Sequence, residues 1–352
     1  MGRPTIASLA CALAALALCA PAAGAATLII EGAGDGHGVG MSQDGALGYA
    51  QHGWSDAQIL AHYYTGTTLG QAPANTVVKV LEGTKVARVP LERYVRGVVA
   101  AEMPASWPMA ALEAQAIASR TYALTADAGG ARFDVYADTR SQVYEGAAAE
   151  TATSNAAVTA TAGQIVEYDG QPAATYYFAS SGGMTEDNEN SFLGSTPEPW
   201  LRAVPDAYET SASDWRVSMS FATAAARLAG LVKGAFRGIE VRQRGASPRI
   251  VAAEVLGSRG TAQVSGPELE ARLGLDSTWA YFSVKNGASV TREPDLSGQP
   301  PFAPKPPEAP PEAPPASAPA TASTPSAAAG PQGGTQAPSA TTPASASGGA
   351  PA

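Results

Sequence analysis

Fifteen of the chain's 28 prolines fall between Pro300 and Pro351, scattered among Ala, Ser, Thr and Gly. Phe302 is the one large apolar side chain in that stretch, which includes the run Pro306-Pro-Glu-Ala-Pro-Pro-Glu-Ala-Pro-Pro315. Proline has no N–H to give to a helix or a sheet ladder. A segment this poor in apolar surface does not offset the entropy of ordering itself. Residues 291–352 therefore read as a disordered tail with a polyproline bias. Any core must be built from what precedes them.

The other end is excluded as well. Arg3 leads an apolar run from Ile6 to Ala20, then Pro21 and Ala22-Ala-Gly-Ala-Ala26. This is the pattern of a secretory signal, residues 1–26, with an Ala-x-Ala type cleavage site. The bulky Leu18 before Cys19 argues against a lipoprotein. Both cysteines, Cys11 and Cys19, lie inside the signal, so the mature chain is expected to carry no disulfide and no Cys-bound zinc. No later apolar segment offers a membrane anchor. Residues 27–290 remain as one domain, long enough to fold on its own core. The net charge of −9 without a basic stripe argues against nucleic acid.

Strand-like runs occur at Leu28–Glu31, Thr76–Leu81, Gln164–Tyr168, Ala174–Ala179, Ile239–Arg244 and Ile250–Leu256. Helix-like runs occur at Ser55–Tyr64, Leu91–Glu102, Pro108–Asp127 and Phe221–Leu231. Ser55 and Gln58 have capping-box spacing. The order lacks a regular βαβ repeat, which favours an α+β fold with mixed helices and mostly antiparallel strands.

Within this frame Glu102 stands out. Pro90 suits the start of a helix, and Leu91, Tyr94, Val95, Val98 and Val99 fall on one face of it. Eleven steps of about 100° bring Glu102 back to within roughly 20° of Leu91. A carboxyl on that stripe has its pKa raised by burial and can donate a proton near neutral pH. The alternative is a buried Glu that satisfies a backbone or Arg group.

Other motifs are less specific. Gly32-Ala-Gly-Asp-Gly-His-Gly-Val-Gly40 lacks the register of a nucleotide-binding loop, and its alternate glycines suggest tight turns or close backbone approach. His37, His52 and His62 show no zinc-ligand spacing. Ser180-Ser-Gly-Gly-Met-Thr-Glu186 has no nucleophile-elbow pattern, so it reads as a sugar-binding turn or simply a strand end. Arg120 interrupts the small-residue face Leu112, Ala116, Ser119 and Ala123. It is read either as a carboxylate fork for substrate or for Glu102, or as a structural ion pair.

Taken together, several segments resemble the SpoIID/LytB family. They are Val89-Pro-Leu-Glu-Arg-Tyr-Val-Arg-Gly-Val-Val-Ala-Ala-Glu-Met-Pro104 with Trp107-Pro, Ala114-Gln-Ala-Ile-Ala-Ser-Arg-Thr-Tyr122, Gln142-Val-Tyr144, Ser180–Glu186, and Gly36-His-Gly-Val-Gly-Met-Ser-Gln43 with Ile59–Tyr64. The resemblance covers Leu28 to Val284. It implies either a peptidoglycan lytic transglycosylase or a non-catalytic enhancer of a cell-wall amidase, secreted to the wall. The transglycosylase would cut glycan strands, preferably peptide-free, to 1,6-anhydro ends. It also implies Glu102 as the catalytic residue, and Arg120, Ser180, Ser181, Gly182, Gly183, His37 and Gln43 as substrate contacts, with no metal and no cofactor.

Three departures accompany it. The Gly-His-Gly-Val-Gly motif opens the domain where relatives close with it, so the order reads as circularly permuted. The positions before Gln142 offer no Cys or His for the zinc cluster of some relatives. Glu113 stands where a basic residue is common.

Overall fold

The helix behind Pro90 has the bounds its apolar spacing predicts, Leu91–Glu102, with Leu91, Tyr94, Val95, Val98 and Val99 buried. The computed structural model describes residues 26–209, 214–292 and Asp295. The signal peptide read over 1–26 lies outside the described residues except for Ala26, and the tail read over 291–352 does so except for Thr291, Arg292 and Asp295.

In chain order, β1 (Thr27–Ala33) passes through the glycine loop into the short β2 (Met41–Ser42) and α1 (Gln43–Gln51). Next come α2 (Asp56–Tyr63) with its Ser55–Gln58 capping box, β3 (Thr68–Gln71), β4 (Val77–Glu82) and β5 (Lys85–Pro90). Then follow α3 (Leu91–Glu102), α4 (Met109–Thr125), β6 (Val135–Tyr136) and α5 (Ala152–Ala160). After them run β7 (Gln164–Tyr168), β8 (Gln171–Pro172), β9 (Tyr177–Phe178) and α6 (Asn188–Ser191). The second half holds β10 (Asp214–Ser220), α7 (Phe221–Arg227), β11 (Phe236–Arg244) and β12 (Ile250–Gly257). It closes with β13 (Gly260–Ser265), α8 (Gly266–Leu273), β14 (Ala280–Asn286) and β15 (Ser289–Arg292).

The architecture is α+β; among the strands of the described residues most pairs are antiparallel, while β2–β9 and β4–β6 run parallel. Two of the expected elements shrink. The strand expected over Ala174–Ala179 pairs only at Tyr177–Phe178, and the helix from Phe221 stops at Arg227.

Two apolar cores result. In the first, α1, α2, α3 and α5 all pack on α4. Ala111, Ala114, Ala116, Ala118, Ser119 and Ala123 are small enough to let those neighbours close around it, and all are buried. The second core joins the sheet β10-β1-β14-β15, the sheet β11-β12-β13 and helices α7 and α8. Strand β1 is central there: Ile30 faces Val217 on one side and Phe282 on the other. The ends of the domain thus lie side by side, as a permuted chain requires. A native N-terminal strand would give the same pairing.

Besides the pairing of β1, buried polar contacts tie the halves together. Glu186 is fully buried and takes hydrogen bonds from Ala246 N at 2.8 Å, Ser247 N at 3.1 Å and Ser247 Oγ at 2.5 Å. In return the buried Arg249 donates to Ser181 O at 3.1 Å and Met184 O at 3.4 Å.

The domain does not end at residue 290. Strand β15 continues to Arg292, and Asp295 takes 2.8 Å bonds from Arg244 Nε and Nη2, whose side chain is 1% exposed. Pairing with β14 and the buried charge of Arg244 both draw the segment in. Truncation after Gly287 is therefore expected to lower the melting temperature by several degrees, because a buried cation without its carboxylate costs about 3–5 kcal/mol. Thermal melts of the truncated and full chains check this.

Candidate active site

Glu102 is the last residue of α3, and chain direction alone puts its carboxyl at the negative end of that helix. Two further segments converge on it. Gln43, the first residue of α1, places Nε2 3.3 Å from Oε2. The loop after β6 brings Val143 N to 2.7 Å from Oε1. Tyr177 of β9 borders the cluster, its hydroxyl donating to Gln142 Oε1 at 2.8 Å.

The loop reaches Glu102 because Gly97 leaves room for it on α3. A Cβ at Gly97 would stand 2.6 Å from the Tyr144 ring and 2.9 Å from the Gly146 backbone. Tyr144 stacks on Tyr94 at 5.1 Å, and Glu145 N bonds to Gly97 O at 3.4 Å. Gly97→Ala is expected to lift this loop, with an overpacking cost of about 1–3 kcal/mol that outweighs the gain in helix propensity. A melting curve together with the Val143 amide shift checks it; an unchanged pair would show that the loop is not seated through Gly97.

A buried polar layer supports the cluster. Gln142, Gln115, Ser119 and Tyr94 are at most 1% exposed. Gln142 accepts from Tyr177 Oη at 2.8 Å and donates to Tyr94 Oη at 3.0 Å and Ser119 O at 3.3 Å. Gln115 bridges Ser119 Oγ at 2.9 Å and Gln43 at 3.5 Å. Burial raises the Glu102 carboxyl above the ordinary carboxylate range, and the bonds from Val143 and Gln43 only partly offset this. The arrangement is a single buried carboxyl that can hold and release a proton.

A profile of the SpoIID family, described as stage II sporulation protein, matches residues 81–168. That stretch contains α3, α4 and the Gln142–Val143 loop. The chain is 42% identical over 110 residues to an uncharacterized protein of Brachyspira hyodysenteriae, covering 30% of each. It is 29% identical over 243 residues to stage II sporulation protein D of Bacillus subtilis, covering 64% of this chain and 69% of that one. It is also 35% identical over 126 residues to the amidase enhancer of Bacillus subtilis, which covers 36% of this chain. The chain belongs to the SpoIID family. The match spans under a third of the Brachyspira protein and 17% of the amidase enhancer.

In this SpoIID family member only part of the expected site comes together. Gln43 and Glu102 meet, but Arg120 does not join them. Its guanidinium, fully buried, forks onto Glu92 through Nε and Nη2 at 2.8 Å and donates to Gln164 O at 2.9 Å. Glu92 lies ten residues before Glu102 on the same helix, about 15 Å away at 1.5 Å per residue. The structural ion pair is therefore the reading that holds for Arg120, which has no exposed donor for a substrate.

The Ser180–Gly183 turn is also corrected. Its donors are already spent on the chain's own Glu209: Ser180 Oγ and Ser181 Oγ bond to it, with Ser181 N at 2.7 Å and Gly182 N at 3.0 Å. Gly183 N turns inward to Ser181 Oγ at 3.0 Å. His37 is likewise engaged within the fold. Val39 N donates to its Nδ1 at 3.0 Å, Tyr176, Phe178 and Phe192 surround the ring, and burial lowers its pKa to about 4.

The glycine loop does meet close approaches. A Cβ at Gly40 would lie 2.1 Å from Tyr176 O, and one at Gly38 2.4 Å from Arg249 Nε. The other histidines sit apart from each other's roles: His52 stacks on Tyr208 at 3.8 Å, and His62 bonds to Pro205 O at 2.9 Å. Tyr177, Gln115 and Ser119 were not singled out for the site from sequence. Nothing local marks them, since their partners come from distant segments.

Proposed function

We propose that this protein is a peptidoglycan lytic transglycosylase in which Glu102 alone serves as acid and base. Glu102 donates its proton to the glycosidic oxygen between the muramic acid and glucosamine residues. The muramic C6 hydroxyl attacks C1 as that bond breaks, and Glu102 takes up the hydroxyl proton. A 1,6-anhydro end forms, the carboxyl is regenerated and no water is consumed. A glycoside hydrolase would ordinarily need a second carboxylate roughly 5–9.5 Å away to activate water or act as nucleophile. The observation that carries the reading is Glu102 itself: a carboxyl raised by burial and held by donors from two distant segments, Gln43 and Val143.

Membership of the SpoIID family supports a cell-wall substrate. The signal-like residues 1–26 support a secreted site of action. Incubation with peptide-free glycan strands should release fragments with 1,6-anhydro ends, detected by mass spectrometry. Reducing ends in their place would mean hydrolysis. No cleavage, combined with stimulation of an amidase, would favour the enhancer reading. That reading draws support from the amidase-enhancer relative and from the engagement of Arg120 and the Ser180 turn inside the fold.

A further inference from the structure

The two oxygens of Glu102 are held differently. Oε1 accepts the Val143 N–H at 2.7 Å, a short bond from a backbone donor that cannot turn away. The loop that carries Val143 is seated on α3, through Tyr144 stacked on Tyr94 and Glu145 N bonded to Gly97 O. Oε2 faces a side-chain amide, Gln43 Nε2, at the longer distance of 3.3 Å. The same Nε2 lies 3.4 Å from Glu102 O and 3.5 Å from Gln115 Oε1. A backbone carbonyl can only accept, so Gln43 turns its nitrogen and not its oxygen toward Glu102. Two N–H groups thus serve three acceptors, and two of the three are present whatever the state of the acid.

The backbone around Gln43 is pinned. Ser42 Oγ accepts from Gly45 N at 3.0 Å and donates to Glu209 Oε2 at 3.2 Å. Met41 N bonds to Tyr176 O at 3.1 Å and Asp44 N to Ala179 O at 3.0 Å. Gln43 itself is 8% exposed.

We propose that Glu102 carries and exchanges its proton on Oε2, the oxygen facing Gln43, and that Gln43 is the positioning residue that allows it. In the protonated acid Oε1 stays a carbonyl oxygen and keeps its bond from Val143, while the Gln43 N–H groups serve Glu102 O and Gln115. In the carboxylate one of those N–H groups serves Oε2. Neither state leaves a buried donor unpaired, which would cost more than the bond itself gains. A proton on Oε1 would set a poorer acceptor against the fixed Val143 N–H. The proposal rests on the reading of Glu102 as both acid and base: the proton given to the glycosidic oxygen and the one taken from the C6 hydroxyl pass through the same atom. A polar environment set in advance for both states avoids reorganisation at the moment of transfer.

The titratable neighbours do not share this role. Tyr94 on α3, Tyr122 on α4, Tyr144 in the loop and Tyr177 on β9 are all pushed by burial above the usual phenol range. Asp44, the next residue of α1, acts on Asp35 instead.

The first test needs no substrate. In the unaltered full chain, carrying ¹⁵N and ¹³C at glutamate Cδ, the Gln43 side-chain amide and Glu102 Cδ should titrate with one midpoint. The Val143 amide should stay protected from solvent exchange on both sides of it. A Val143 amide that loses protection as Glu102 takes up its proton would place that proton on Oε1 and overturn the proposal. Gln43→Met supplies the second measurement, since it keeps the side chain's length and excludes water but has no N–H. The Glu102 midpoint should rise by about one pH unit and turnover should fall about tenfold with KM little changed, the scale of one bond to a charged group. Gln43→Glu sets a second carboxyl against Oε2, and the later of the pair's two midpoints should climb further. A purely structural glutamine would lower the melting temperature in both variants and leave the midpoint in place, which also overturns the proposal. If resonances and midpoints behave as expected and no anhydro ends form, the transglycosylase reading fails while the assignment of the proton stands.

Discussion

Glu102→Gln should lower turnover of glycan strands by at least about 10²–10⁴-fold, the usual contribution of general acid–base catalysis. The amide keeps the shape of the protonated acid but has no proton to transfer. Its oxygen can still accept from Val143 N, the shorter of the two contacts at 2.7 Å. Stability should move the other way. The folded state holds the Glu102 proton more tightly than the ordinary value of 4.5 implies. Stability from this group is therefore lost as pH climbs from that value through the raised one, and it stays lost above. The glutamine does not titrate, so the melting temperature of the variant should match or exceed that of the parent at pH 7 and lose that edge toward pH 4. Anhydro-end release and melting curves across pH check both parts. Wild-type turnover by a folded Glu102→Gln protein would remove Glu102 from the chemistry.

Arg120→Ala is expected to act on the fold and not on binding. The substitution removes the side-chain donor to the carbonyls of Ala116, Val158 and Gln164 and opens a void beside α4. Glu92, the charge left behind, is 39% exposed and can be solvated, so the loss comes from the void and the unmet buried acceptors, about 1–3 kcal/mol, and a domain of this size melts several degrees lower. Arg120→Lys keeps the charge but not the fork, so it should fall between the two. Whatever protein remains folded at low temperature should show an unchanged KM. A normal melting temperature with a raised KM would return Arg120 to the substrate site.

Sequence spacing located α3 to the residue, and with it Glu102, because a helix that buries one face repeats its apolar positions over short distances. The same logic saw the small face of α4. It could not assign Arg120, whose partner Glu92 is 28 positions away on another helix. The Ser180 turn failed for the same reason. A cluster of donors signals that something with lone pairs binds there, but only the fold reveals that the occupant is Glu209 of the same chain. Tyr177 was hidden inside a run read simply as a strand. Asp295 sits at the start of a proline-rich stretch, and its bond to Arg244 bridges 51 positions, so no local pattern marks that contact. Contacts within a few residues leave a periodic trace in a sequence; those between distant segments leave none.

The placing of β1 bears on how the molecule forms. This strand precedes both its partners in the sequence, yet it lies in the middle of its sheet, between β10 and β14. Neither neighbour exists until most of the chain has been synthesised. Closing so long a loop is entropically unfavourable before the pairing it permits can repay it, and topologies rich in such pairings fold slowly. The helices around α4 can gather through contacts close in sequence, while β1 waits unpaired. Refolding should accordingly show an early helical phase and a slower one reported by Trp215, the residue that packs over Gly32 once β1 is in place.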